Sequence, residues 1–199
     1  YGTMPISDIA NYDFSLFLKY VDHALFLREN TPWCKDIPED IFLNHVLYYR
    51  INNEDIVDCR RDFYNLCWPR LVNAGKTSSM KEAALELNYW CFENATYRLT
   101  DERTANPLTV LRCAYGRCGE ESTFATTVFR SVGIPTRQIY TPRWPHCDDN
   151  HAWIEVWCDG DWHYLGACEP EEVLDKGWFT AAASRAMIIH SRMFSDYVE

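Results

Sequence analysis

The residues best placed to do chemistry lie in Gly116-Arg117-Cys118-Gly119-Glu120-Glu121-Ser122, which sets a cysteine between glycines where a helical pattern begins. Phe124, Val128 and Val132 recur every four residues, Ala125 and Phe129 widen the apolar stripe, and Gly133 with Pro135 ends it. A helix N-terminus offers unpaired N–H groups and a partial positive charge, which can bring a cysteine from a pKa of about 8.5 down to about 3.5–7.5. The expectation is a thiolate nucleophile at Cys118. Glu120 and Glu121 would stand in the first turn, where carboxylates suit the dipole, and the glycines would let a substrate approach the backbone. The competing expectation is a core thiol, because free cysteine is among the most buried residue types.

A thiol nucleophile needs a base within hydrogen-bond reach, and six histidines are present: His23, His45, His146, His151, His163 and His190. His23 and His45 fall in helical patterns remote from Cys118 and read as structural or surface residues. His151 opens an extended segment directly after an irregular loop, which places it at a sheet end, where functional groups concentrate on a rigid scaffold. His146, within that loop, is its rival.

The elements that must position these groups change character along the chain. Before Cys118 they read as helices, one through Leu16, Tyr20, Ala24 and Leu27 and others over 41–49, 61–68 and 80–92, punctuated by Pro32, Pro38, Pro69 and Gly75. Trp33, Trp68, Tyr89 and Trp90 among them read as packing rather than as a groove lining. After the Cys118 helix, strand patterns follow at 136–141, 151–158 and 162–165, the last two joined by Asp159-Gly160, a favoured tight-hairpin pair; 187–190 reads as one more strand. The fold class expected is α+β, a nucleophile helix packed on an antiparallel sheet and preceded by a helical region. Residues 1–75 form the helical extension in this reading and residues 76–199 the core.

A net charge of −10 and a pI near 5.0 argue against a nucleic-acid partner, which needs clustered Lys and Arg. No apolar run reaches transmembrane length, so membrane insertion is not expected, and no signal-peptide pattern is visible. The start at Tyr1 rather than methionine leads to the expectation of a trimmed chain. Nine cysteines are fewer than a disulfide scaffold carries, and the odd number leaves at least one unpaired within the chain. Asn94-Ala95-Thr96 matches a glycosylation acceptor, a triplet common by chance.

Taken in order, Gly116-Arg117-Cys118-Gly119-Glu120, Gly133-Ile134-Pro135-Thr136-Arg137, Asn150-His151-Ala152-Trp153-Ile154-Glu155-Val156 and Gly160-Asp161-Trp162 resemble the core of the transglutaminase-like superfamily, bacterial-type domains included. The resemblance is strongest over about 108–174, takes in the helix from Met80, and stops before Lys76. It implies a papain-like fold and a Cys, His and Asp triad, with Cys118 as nucleophile and His151 as base. The family's aspartate usually lies four residues after the hairpin tryptophan, which here is Gly166. Glu169 is the nearest later carboxylate, with the longer reach needed to orient His151 in its place; Asp148, Asp149, Asp161 or a backbone carbonyl are alternatives.

The chemistry the resemblance implies is acyl transfer at an amide through a thioester, without a cofactor, on a protein or peptide substrate. Water as acceptor makes a peptidase or amidase, the favoured reading; an amine makes a cross-linking transglutaminase. Trp144, Trp153 and Trp157 could shape the acyl or acceptor pocket or could be sheet packing. A metal site at Cys147, Asp148, Asp149, His151 and Cys158 is a further reading, although the spacing is poor and C-x-x-C does not occur. A third is a non-catalytic module that kept the fold, for which Gly166 speaks.

Overall fold

The computed structural model describes residues 4–101 and 103–194. Its centre is a helix that should be difficult to bury: Cys118–Ser131 contains Ser122, Thr123, Thr126, Thr127 and Ser131, yet every residue from 120 to 131 is buried. Most of these hydroxyls bond back to the helix's own carbonyls, Ser122 to Cys118 (2.6 Å), Thr123 to Gly119 (2.8 Å), Thr127 to Thr123 (3.0 Å) and Ser131 to Thr127 (2.6 Å). Burial therefore leaves few polar atoms without partners.

Numbered in chain order, the helices are α1 (Ile6–Asn11), α2 (Phe14–Asn30), α3 (Glu39–Phe42), α4 (Arg60–Asn73), α5 (Met80–Asn94), α6 (Pro107–Cys113), α7 (Cys118–Ser131) and α8 (Thr180–Ala183). The strands are β1 (Thr96–Tyr97), β2 (Tyr115–Gly116), β3 (Thr136–Thr141), β4 (His151–Cys158), β5 (Asp161–Leu165) and β6 (His190–Ser191). An antiparallel sheet of order β5-β4-β3-β6 packs against α7, and α4 and α5 pack against it too. The fold is thus α+β, as the sequence pattern implies. Asp159 (φ 57°) and Gly160 (φ 89°) both take left-handed backbone, the condition for the tight turn that joins β4 to β5.

Three elements depart from the sequence reading. Pro69 lies inside α4 instead of ending it, because Asn65 and Pro69 are exposed, so the carbonyl it leaves unpaired can meet water, while Cys67 and Leu71 on either side are fully buried. Residues 41–49 split into α3 and a π-helical turn, Leu43–Leu47. Only His190–Ser191 joins the sheet at its far edge, against Ile139 and Tyr140, while Met187 and Ile188 stay exposed.

The first seventy residues reach the centre through buried arginines. Arg130 of α7 donates to the carbonyls of Thr136 (2.9 Å) and Tyr48 (2.8 Å), and Arg60 to those of Val46 (3.0 Å) and Tyr48 (3.2 Å). Arg50 pairs bidentately with buried Asp8 and donates to the carbonyls of Asn52 (3.0 Å) and Glu54 (2.9 Å). These charge-assisted bonds fix the loop 48–54, which carries Asn52 to the start of α7. All nine cysteines are free, with Cys113 and Cys147 exposed.

Candidate active site

The N-terminus of α7 is built by Glu120, whose carboxylate accepts the backbone N–H of Arg117 (3.0 Å) and of Ala105 (2.9 Å) and the Thr100 hydroxyl (2.6 Å). A side chain at Gly116 would lie 2.8 Å from the Glu120 Cβ, so the glycine permits this close approach, whereas one at Gly119 would meet nothing within 4 Å and opens onto free space beside Cys118. The Cys118 sulfur, half-buried, receives the backbone N–H groups of Ala152 and Gly119. Ala152 reaches it because β4 pairs with β3 in the register Tyr140↔Ala152 and Thr141↔His151.

These donors do not make a resting thiolate. Burial pushes the Cys118 thiol up, outweighing the pull of the two N–H groups, so the expected downward shift at the helix terminus is corrected in sign. Glu121 likewise fails to serve the dipole as expected. It is buried and pushed up to about 8, first by burial and then by Glu169 and Glu120, so it is largely protonated near neutral pH.

His151, 6% exposed, is enclosed by Trp178 (ring centres 4.7 Å apart), Phe179 (5.0 Å), Trp144 (5.9 Å) and Trp153 (5.9 Å). Burial lowers it to about 4, against a small opposing effect of Asp149. Its Nε2 is buried without a hydrogen-bond partner among the described residues, so a protonated ring would carry an unsatisfied N–H there. The resting pair is a neutral thiol and a neutral imidazole.

Glu169 does not hydrogen-bond His151. Its Oε2 accepts the indole N–H of Trp178 (3.0 Å), and Trp178 carries the contact on to the imidazole. The turn that holds Glu169 is clamped by buried Asn88 of α5, which donates to the Gly166 carbonyl (2.9 Å) and accepts the Cys168 N–H (3.0 Å), with Cys168 held at φ 59°. Of the alternatives, Asp148 pairs with Arg143 (3.5 Å), Asp161 accepts the Trp162 N–H (2.8 Å), and Asp149 acts on His151 through space.

Four of the remaining histidines lie elsewhere. His146 stacks on Trp144 (6.3 Å) in the exposed loop, His163 pairs with Asp175 (2.7 Å), His45 packs on Trp162 (4.8 Å) and His23 bonds the Ser131 carbonyl (2.8 Å). Trp144 and Trp153 cluster around His151, while Trp157 packs on the main core. Among the described residues no group of three or more His, Cys, Asp or Glu is placed to hold a metal ion. Cys118 opens onto a cavity of about 240 Å³ whose walls include Asn52, Gln138, His190 and Arg192. Sequence reasoning named His190 only as one of six available histidines and missed the other three as well as Asn88, Trp178 and Phe179. They come from segments far apart along the chain, and the adjacent aromatics Trp178-Phe179 are the one signal of residue type that could have been followed.

Residues 69–167 match the family model of the transglutaminase-like superfamily. A solved structure of a candidate cysteine protease from Cytophaga hutchinsonii is similar at 16% identity and a TM-score of 0.48, over 85% of this chain and 60% of that one. Red sea bream transglutaminase is similar at 17% identity and a TM-score of 0.47, over 71% of this chain and 34% of that one. A candidate protease from Parabacteroides distasonis is similar at 19% identity and a TM-score of 0.42, over 52% of this chain and 23% of that one. The chain therefore spans less than two thirds of each of these proteins. No curated protein sequence matches it.

Proposed function

Residues 69–167 belong to the transglutaminase-like superfamily, and from that premise we propose that the chain performs cysteine-dependent acyl transfer at amide bonds, with water as its usual acceptor. Cys118 is the nucleophile and His151 the base. The observation that supports this is the N–H of Ala152, the residue after His151, directed at the Cys118 sulfur, so that the ends of α7 and β4 meet at one atom.

Because both partners are neutral at rest, the proton moves as the bond forms. The thiol passes its proton to His151 while the sulfur adds to the carbonyl carbon, and N–H groups at the α7 terminus receive the oxyanion. Imidazolium then protonates the leaving amine, giving a thioester. His151 next takes a proton from water as its oxygen adds to the thioester carbonyl, and returns that proton to the Cys118 sulfur as the C–S bond breaks and the acid is released. Glu169 is a positioning residue, acting through Trp178 on the ring of His151.

The test offers casein and a peptide pool to the wild type, Cys118→Ala and His151→Ala, with and without a labelled amine. Cleavage lost in both variants is the expected result. Amine incorporation without cleavage would replace hydrolysis by cross-linking, and no change in any substrate would favour a non-catalytic module.

A further inference from the structure

The cavity beside Cys118 runs against the charge of the whole molecule. The chain carries a formal net charge of −10, yet the described residues lining this cavity include Arg117, Arg192 and His190, the amides of Asn52 and Gln138, and no carboxylate. Arg192 is placed there by a neutral partner. Its Nη1 donates to Asn52 Oδ1 (2.8 Å), Asn52 Nδ2 donates to Gln138 Oε1 (2.9 Å), and Gln138 Nε2 donates to Ser122 Oγ (2.7 Å) and the Gly119 carbonyl (3.0 Å). This relay ties the guanidinium to the first turn of α7, beside the nucleophile.

Among the described residues no carboxylate forms an ion pair with Arg192, and Asn52 engages one of its five donors. Glu54, close in sequence, is buried and committed to the N–H groups of Ile51 (3.0 Å) and Asn52 (2.7 Å). Asp149 is the competing charge. It adjoins lining residue Asn150 and acts on His151. An exposed guanidinium tethered to the wall of the cavity that also holds Cys118 is a receptor for a planar anion.

We infer that this cavity receives a carboxylate of the acyl donor, so that the substrates are acidic peptides with Asp, Glu or a free carboxyl terminus close to the amide attacked. This specifies the substrate class of the acyl-transfer reading and rests on it.

Two measurements separate the inference from that reading. The first is the rate of Cys118 alkylation by iodoacetate relative to iodoacetamide, followed by mass spectrometry of its peptide. The ratio cancels thiol ionisation and needs no turnover. It is expected to exceed that of a free cysteine derivative, to fall about two- to fivefold in Arg192→Gln and to rise in Asp149→Asn, the size one unit charge has through a half-hydrated site. The second is cleavage of a peptide pool, where acidic sequences should lead and Arg192→Gln should erase their lead. Cleavage without acidic preference, or a ratio unmoved by Arg192→Gln, overturns the inference and leaves acyl transfer standing. A pool neither cleaved nor labelled by an added amine overturns acyl transfer, and the ratio then still decides whether the cavity selects anions.

Discussion

Glu169 fills the space that a side chain at Gly166 would need: a Cβ at residue 166 would overlap Glu169 Oε2 and lie 2.9 Å from the Glu169 Cβ. Position 166 is where the superfamily pattern has its aspartate. Here the carboxylate comes from three residues further on and folds back over a turn closed by the Gly166–Glu169 bridge. The glycine is thus the condition for Glu169 being there.

Exchange of the two positions tests that relationship. Gly166→Ala should cost about 1–3 kcal/mol by overpacking and expel the Glu169 carboxylate from Trp178. Gly166→Asp alone should do the same, whereas Gly166→Asp combined with Glu169→Ala should recover stability and part of the activity. Thermal unfolding and peptide cleavage measured on all four proteins check this. A double variant no better than Gly166→Asp alone would show that the two side chains do not share one place.

Asn88 should matter more than its position in α5 suggests. Asn88→Ala removes both bonds to the 166–168 turn: the buried Cys168 N–H is left unpaired, at about 1–3 kcal/mol, while the Gly166 carbonyl keeps the Glu169 N–H (3.1 Å) as its one partner. Without the clamp Cys168 has no reason to hold φ 59°, and Glu169 should drift from Trp178. Denaturant unfolding should show the loss, and indole fluorescence the changed setting of Trp178. Normal stability would mean that the clamp is redundant.

What the sequence made legible and what it hid divide along a physical line. Helix α7, the β4–β5 hairpin, Cys118 and His151 were readable because each is announced by neighbours within a few residues: an apolar stripe, an Asp-Gly pair, a loop running into a strand. The ionisation states were not, since burial alone reverses the shift expected of Cys118 at a helix terminus. Asn52, Gln138 and Arg192 were invisible for a related reason. Their relay joins residues 86 and 140 positions apart, and no local pattern marks such a pair.

Trp178 should set the proton affinity of His151. It is 63% exposed itself, yet its ring covers the imidazole at 4.7 Å. Trp178→Ala admits water to His151, relieves the desolvation that holds it near 4, and should raise its pKa towards 6.5. The acid limb of Cys118 alkylation should move up by about one to two pH units as that desolvation is relieved. Trp178→Phe keeps the cover and loses only the donor to Glu169, so its limb should stay near that of the wild type. Equal limbs in Ala and wild type would assign the low value to the other rings.

Glu121 predicts a pH dependence of stability opposite to that of the histidines. The fold raises its carboxyl from 4.5 to about 8, so the folded state binds the proton more tightly than the unfolded state. The stability this gives is fully present below pH 4.5 and is lost as pH rises through 8. His23 and His151, lowered to about 4, and His45, lowered to about 3, act the other way: their stabilising contribution is present above pH 6.5 and is lost as pH falls below it. Glu121→Gln removes only the first effect. Its melting temperature should match the wild type near pH 4.5 and exceed it increasingly up to pH 8, by several degrees, since each tenfold change in proton affinity is worth about 1.4 kcal/mol before discounting for relaxation of the site. Calorimetry from about pH 4.5 to about pH 9 measures the difference across the window in which the carboxyl titrates. A constant offset across that range would mean that Glu121 is already ionised in the folded protein, and that the carboxyl pair with Glu169 behind Cys118 holds no proton.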